Sequence, residues 1–332
     1  MMGTGIETIY RQGSVTMHSI DTRRQGSCTA ASFTFVILAV FLFLWGGSAA
    51  AVTGQRNFST PEDAVAALVE AVRMNDTRQL LAIFGAAGRD LVMSGDETLD
   101  REARDRFLRA YEEKNRLENV SDRKAVLHVG EDDWPMAIPI VRTDGTWRFD
   151  TKQGRQEILA RRIGRNELAA IQVCLAYVDA QREYAQRQSN SVLEYAQRFA
   201  SDPGKDNGLC WDAGEKENLA SPMGPLVARA CRTGITPGCR GETAPYHGYF
   251  YRILTAQGKD APGGAYDYIV NGRMIGGFGL VAYPARYRST GVMTFIVNHD
   301  GIVYQKDLGK NTVKIAETMT IFNPDPTWKK VE

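Results

Sequence analysis

The chain has 332 residues, of which 43% are hydrophobic and 24% charged, with a formal net charge of +1. That is ordinary globular composition, with length enough for two domains that each bury a core. A near-neutral chain without a basic block lacks the electrostatic footprint of nucleic-acid binding and offers anionic lipid no polybasic patch.

The first predicted element is a leader. Arg23 and Arg24 precede an apolar run, Ser32–Trp45 (SFTFVILAVFLFLW), which ends in the small residues Ala49, Ala50 and Ala51. A cationic start, a short apolar stretch and a small-residue end make residues 1–51 read as a secretory signal peptide. The run is shorter than the roughly 20 apolar residues of a spanning helix. The alternative is an uncleaved anchor in the inner membrane at residues 32–45. Met17 would give a more usual leader length. The expectation is an exported, periplasmic protein. Of the 40 basic and 39 acidic residues, residues 1–51 hold three (Arg11, Arg23, Arg24) and two (Glu7, Asp21), so their removal leaves 37 of each.

An N-terminal α+β domain is expected over residues 56–152. Thr60, Pro61, Glu62 and Asp63 carry the signals of a helix start, and Ala64, Leu68, Val69 and Val72 follow at helical spacing. Asp76 and Thr77 open a second helix through Ile83 and Phe84. Asp100–Glu112 is so charged that it reads as a solvated third helix. Extended segments follow at Ala125–Gly130, Pro135–Arg142 and Thr146–Thr151. Asp144-Gly145 supplies a hairpin turn between the last two. This order of elements is similar to the cone-shaped nuclear-transport-factor-2-like domains.

A second part is expected over residues 153–332. It opens on the longest helical stretch, Gln153 to about Gln188, with Ile158, Ile163, Ile171, Cys174, Leu175 and Val178 as its apolar stripe. Arg161, Arg162, Arg165, Asn166 and Glu167 read either as an anion clamp or as a salt-bridged helix face, or a break at Gly164, with the plainer readings favoured. Residues 201–245 read as irregular and pinned by disulfides. Of the five cysteines, Cys28 lies in the leader. An even count in an oxidising compartment favours pairing. The favoured pairs are Cys231–Cys239 and Cys174–Cys210, with a buried helical thiol at Cys174 as the equal alternative. Strand-like segments at 248–256, 266–270, 277–284, 291–298 and 301–308 then form an antiparallel meander on the preceding helix.

The stretches WPMAIPIVRTDGTWRFDT, RRIGRNELAAIQVCLAYVDAQREYA, YHGYFYRILTAQG, NGRMIGGFGLVAYP and TFIVNHDGIVYQKDLG resemble a bacterial exported family, domain of unknown function 2950. The resemblance spans nearly all of the chain beyond the leader and implies an envelope location, with no activity, cofactor or catalytic residue to carry over. The helix AIQVCLAYVDAQREYA with the meander ending TFIVNHDGIVYQ is also similar to type IV pilin and pseudopilin head domains. The chain departs from true pilins in having no prepilin-peptidase site before its apolar run.

Three histidines lie beyond the leader. His299-Asp300-Gly301 reads as an exposed hairpin tip rather than a site. His247, in PYHGYFYR, is the better candidate. With Tyr246, Tyr249 and Tyr251 it could line a groove for a glycan or peptide, since alternation puts Tyr249 and Tyr251 on one strand face. The favoured plainer reading is an aromatic face packed on a helix. The glycines of Asn271–Gly279 fit neither phosphate-loop nor dinucleotide spacing and read as close backbone packing. Glu131-Asp132-Asp133 lacks calcium-loop spacing and reads as a solvated turn. No metal and no cofactor is expected.

The whole reads as a non-enzymatic binding or assembly module of the cell envelope, whose partner is an envelope protein, a peptide or a glycan. The alternative is a hydrolase or isomerase of envelope polymers, with His247 and acids from distant segments at its site.

Overall fold

A computed structural model describes residues 54–187, 192–202, 205–210 and 245–332. The leader, Cys231 and Cys239 lie outside the described residues. The protein is α+β.

Thr60 caps the first helix, α1 (Pro61–Arg73), in a capping box with Asp63, and Pro61 sits in its first turn. Thr60 Oγ1 accepts from the Asp63 N–H while the Asp63 carboxylate accepts from the Thr60 N–H, so two otherwise orphaned donors are satisfied. Asp76 caps α2 (Thr77–Phe84) through the Gln79 N–H. After a short α3 (Arg89–Val92), Asp96 caps α4 (Glu97–Glu113), which buries none of its residues. Its solvated character was expected, although it starts three residues earlier than expected.

The N-terminal sheet follows. Its strands are β1 (Asn115–Ser121), β2 (Lys124–Val129), β3 (Trp134–Pro135), β4 (Ile140–Thr143) and β5 (Thr146–Phe149), ordered β1-β2-β4-β5 with β3 on β2. The β4–β5 turn is Asp144-Gly145, both at positive φ (52° and 80°), as this dipeptide demands. Helices α1 and α2 cover the sheet in a core that includes Leu68, Ile83, Leu127, Ile140 and Phe149.

The next helix, α5 (Thr151–Arg187), runs 37 described residues without a break at Gly164, roughly 55 Å at 1.5 Å per residue. Its inner stripe is displaced from expectation. Cys174 and Val178 are buried, but Ile158 and Leu175 are each 37% exposed. The first half of the helix bridges two cores instead of facing one.

Among the described residues ten strands and one helix follow: β6 (Tyr249–Leu254), β7 (Ala256–Gln257), β8 (Tyr266–Asp267), β9 (Ile269–Val270), β10 (Arg273–Met274), β11 (Gly279–Pro284), β12 (Thr294–Asn298), β13 (Tyr304–Lys306), α6 (Thr312–Thr318), β14 (Ile321–Phe322) and β15 (Lys329–Lys330). The main sheet runs β6-β11-β12-β13-β15 and is antiparallel throughout. Every residue of β11 and β12 is buried. An antiparallel sheet buried on both faces needs a layer on each. Helix α5 packs on one face, in a core containing Tyr177, Tyr249, Tyr251 and Phe295. On the other lie α6 and β14, around Val281, Tyr283 and Phe322. Neither α6 nor the parallel pairing of β14 with β7 was anticipated.

Cys174 is a free, wholly buried thiol. The expected Cys174–Cys210 pair is therefore not formed. Cys174 lies on the core side of α5, among the aromatic residues of the main sheet, and the alternative of a buried helical thiol holds. Cys210 is buried where residues 200 and 210 form an isolated bridge.

Candidate functional site

Tyr249 and Tyr251 do not line a groove; they form an aromatic face packed on a helix, the plainer of the two readings. Tyr249 and Tyr251 share a strand face as alternation requires, but that face is the one α5 covers, and both are 0% exposed. The Tyr249 hydroxyl donates to the Met293 carbonyl at 2.9 Å. The Tyr251 hydroxyl is buried without a hydrogen-bond partner among the described residues. Burial pushes both phenols well above their ordinary value.

Between them and Tyr246, His247-Gly248 is a tight turn. Both residues have positive φ (48° and 75°), and Tyr246 and Tyr249 exchange backbone hydrogen bonds across it. The His247 ring stands edge-on to that of Tyr246, 4.2 Å between centroids. Partial burial pushes its pKa down, which favours the neutral imidazole. His247 is thus first a turn residue on the surface.

Asn166 and Glu167 of the arginine-rich stretch do structural work. Asn166 Nδ2 donates to the Thr290 carbonyl, and Glu167 Oε1 accepts the N–H groups of Val292 and Met293. They tie α5 to the loop entering β12. Arg161 reaches Glu157 and the Pro135 carbonyl, both at 2.8 Å.

His299 is the histidine around which separate segments converge. It lies in the β12–β13 turn as expected, but its ring is not an exposed tip, since the side chain is 27% accessible. The ring stands against Tyr268 and Phe278, at 5.8 and 6.1 Å between centroids and both close to edge-on. The close approach is possible because residue 277 is glycine. A Cβ there would sit 2.7 Å from His299 Nδ1. Backbone bonds fix the turn: the His299 N–H donates to the Phe278 carbonyl, and Arg182 of α5 donates to the His299 carbonyl at 3.0 Å.

Polar tips gather at the outer edge of this ring. The Tyr266 hydroxyl is 3.4 Å from His299 Nε2, and the Asp300 carboxylate is 3.8 Å from the same nitrogen. Burial, then the charge of Asp300 and then Tyr195, raise the Tyr266 pKa, which places all three groups within electrostatic reach. Tyr195 stacks edge-on to Phe278 at 4.8 Å and is held by its N–H to the Met274 carbonyl. Tyr195, Phe278, His299, Tyr268 and Tyr266 thus make one aromatic wall carrying hydroxyl, imidazole and carboxylate groups. Sequence reasoning weighed His299 and set it aside, and it missed Tyr195 and Tyr266. The alternating Tyr266 and Tyr268 were the available signal.

His128, the third histidine, is 13% exposed between Glu118 (Nε2 at 3.1 Å) and the Asp133 carbonyl (Nδ1 at 2.9 Å). Arg116 bridges Glu118 and Asp133 at 3.0 and 2.6 Å and holds the Asp133 carboxyl below its ordinary value. Asp133 is therefore clamped within a turn whose other acids, Glu131 and Asp132, are exposed. Among the described residues no group of three or more His, Cys, Asp or Glu side chains is arranged to hold a metal ion. A cavity of about 440 Å³ opens where α5 starts, with Arg148 and Lys152 among its lining residues. The Gln55 amide and Thr151 hydroxyl there already donate to backbone carbonyls.

Two cores joined by one helix, with an aromatic-walled polar cluster beside the β12–β13 turn of the C-terminal sheet, define an α+β protein. The chain belongs to the family described as protein of unknown function (DUF2950), whose model matches residues 55–331. Neither a curated protein nor a solved structure matches it.

Proposed function

We propose that this is an exported cell-envelope protein that acts as a non-enzymatic binding module, holding a polar envelope component at Tyr195, Tyr266, His299 and Asp300. The observation that carries the reading is the convergence of the 192–197 segment, β8, the residues at Gly277-Phe278 and the β12–β13 turn on one aromatic wall that includes a half-buried imidazole. Aromatic walls with hydroxyl and carboxylate tips suit a ligand that has apolar faces and polar edges, such as a glycan or a peptide.

Proton-transfer chemistry fits the spacing less well. A positioned base and its orienting carboxylate lie about 2.6–3.2 Å apart, whereas Asp300 is 3.8 Å from His299 Nε2. His299 Nδ1 is buried without a partner among the described residues, so the ring is held by packing rather than by an orienting acceptor. Export rests on the charged start and apolar run of residues 1–51. No helix among the described residues is long and apolar enough to cross a membrane.

The experiment is mild crosslinking in the native envelope, followed by purification and identification of what is bound. An intact mass lighter by residues 1–51 supports export with cleavage. A defined peptide or glycan retained by the wild type and lost in both Tyr266→Ala and His299→Ala supports the module. Retention of the same component by both variants would move binding elsewhere on the surface and sink this reading.

A further inference from the structure

A tryptophan side chain that folding leaves in water is seldom held still, yet Trp134 is held at both ends. Its side chain is 59% exposed. The preceding residue, Asp133, sits at φ +51°, a conformation rare for a residue other than glycine. Arg116 donates to both Asp133 carboxylate oxygens, at 3.3 and 2.6 Å, and His128 Nδ1 lies 2.9 Å from the Asp133 carbonyl. Trp134 itself pairs with Val129 in the sheet. From α5, the Arg161 guanidinium stands over the indole, 5.2 Å from its centroid. Arg161 is fixed in turn by Glu157 and by the Pro135 carbonyl.

We propose that Trp134 is a stacking plate for a pyranose ring, in a carbohydrate-binding site formed where β3 meets α5. Fixing an exposed indole does little for folding but removes the ordering cost from a later binding step. The surroundings choose the ligand class. The side chains that hold the plate are Arg116, Asp133, Glu157 and Arg161, all charged. An apolar protein surface laid over them would strip their hydration without replacing it. A gluco-configured sugar ring has flat C–H faces that lie on an indole, and equatorial hydroxyls that reach charged donors and acceptors at its edge. The site uses residues other than the His299 cluster, and either can fail without the other.

The test is a titration of the full chain with chitohexaose and with cellohexaose, followed by intrinsic fluorescence and calorimetry. At least one sugar is expected to saturate the wild type and shift its emission. Trp134→Ala is expected to weaken binding by about tenfold or more, the scale of an aromatic hot spot. Arg161→Ala, which frees the indole, is expected to weaken it less, and His299→Ala to leave it unchanged. Circular dichroism of each variant establishes that the fold is retained, which the exposure of Trp134 favours. Saturable binding with equal affinity in Trp134→Ala overturns the proposal, as does no binding of either sugar by the folded wild type. An emission shift produced by an unstructured peptide and by neither sugar would overturn the carbohydrate assignment.

Discussion

Gln181 and Ala196 exchange two hydrogen bonds of 2.8 Å, the side-chain amide of one serving both backbone groups of the other. Gln181 is 0% exposed and Ala196 1%. From within α5 the glutamine acts as a strand edge would, and its amide also donates to the Tyr177 hydroxyl. The segment it pins carries Tyr195 into the His299 cluster.

Gln181→Leu keeps the volume and removes both partners. Leaving the Ala196 N–H and C=O buried and unpaired is expected to cost about 2–4 kcal/mol. Chemical denaturation measures the loss, and amide exchange at Ala196 should accelerate beyond that of its neighbours. A variant with wild-type stability and exchange would mean that the pairing contributes nothing.

Gly277→Ala tests the wall behind His299. The residue sits at φ +143°, and an added Cβ would lie 2.7 Å from His299 Nδ1 and 3.1 Å from the Tyr268 ring. Backbone strain and overpacking together are expected to cost about 1–3 kcal/mol and to push the imidazole outward. Unchanged melting together with unchanged His299 ring resonances would show that the loop absorbs the methyl freely.

Local signals in the sequence were reliable where chemistry acts over a few residues. Thr60 and Asp76 cap helices because short oxygen-bearing side chains reach backbone N–H groups three residues on. Asp144-Gly145 turns because both residues tolerate positive φ. Strand β1 was missed because Asn115–Ser121 is an edge strand with no buried residue, so it carries no alternation to read. Tyr249 and Tyr251 share the face that α5 covers, which was the favoured reading, although alternation alone says only that the two share a face. Apart from the alternation of Tyr266 and Tyr268, the His299 cluster left no trace in the sequence, for a different reason. Its members come from residues 195, 266 and 299, brought together by sheet register and by a glycine whose role appears only when the ring is beside it.

Glu167 joins α5 to the main sheet through one oxygen, Oε1, which accepts the Val292 and Met293 N–H groups at 2.8 and 3.0 Å. Glu167→Ala leaves two part-buried donors without that acceptor and is expected to cost about 1–3 kcal/mol. Glu167→Gln retains an acceptor oxygen and should lose less than half as much. Equal losses in the two variants would assign the contribution to charge rather than to the hydrogen bonds.

Alkaline pH should unfold this protein through its core. Burial pushes the Cys174 thiol up to about 12 from an ordinary 9.0. It also raises the phenols of Tyr177, Tyr249, Tyr251 and Tyr268 above 10.0. An unfolded chain releases these protons near their ordinary values while the folded chain keeps them. Stability is therefore complete below about pH 9 and is lost as pH rises from there toward the folded values, by up to about 1.4 kcal/mol per pH unit for each group. Tyrosinate absorbance should show the exposed members of the thirteen tyrosines titrating reversibly. The buried set should appear together with loss of circular dichroism. In the folded protein at about pH 8, Cys174 should resist a small thiol reagent that modifies it fully in denaturant. Rapid labelling of Cys174 in the native state would show that α5 opens from the sheet far more often than this packing allows.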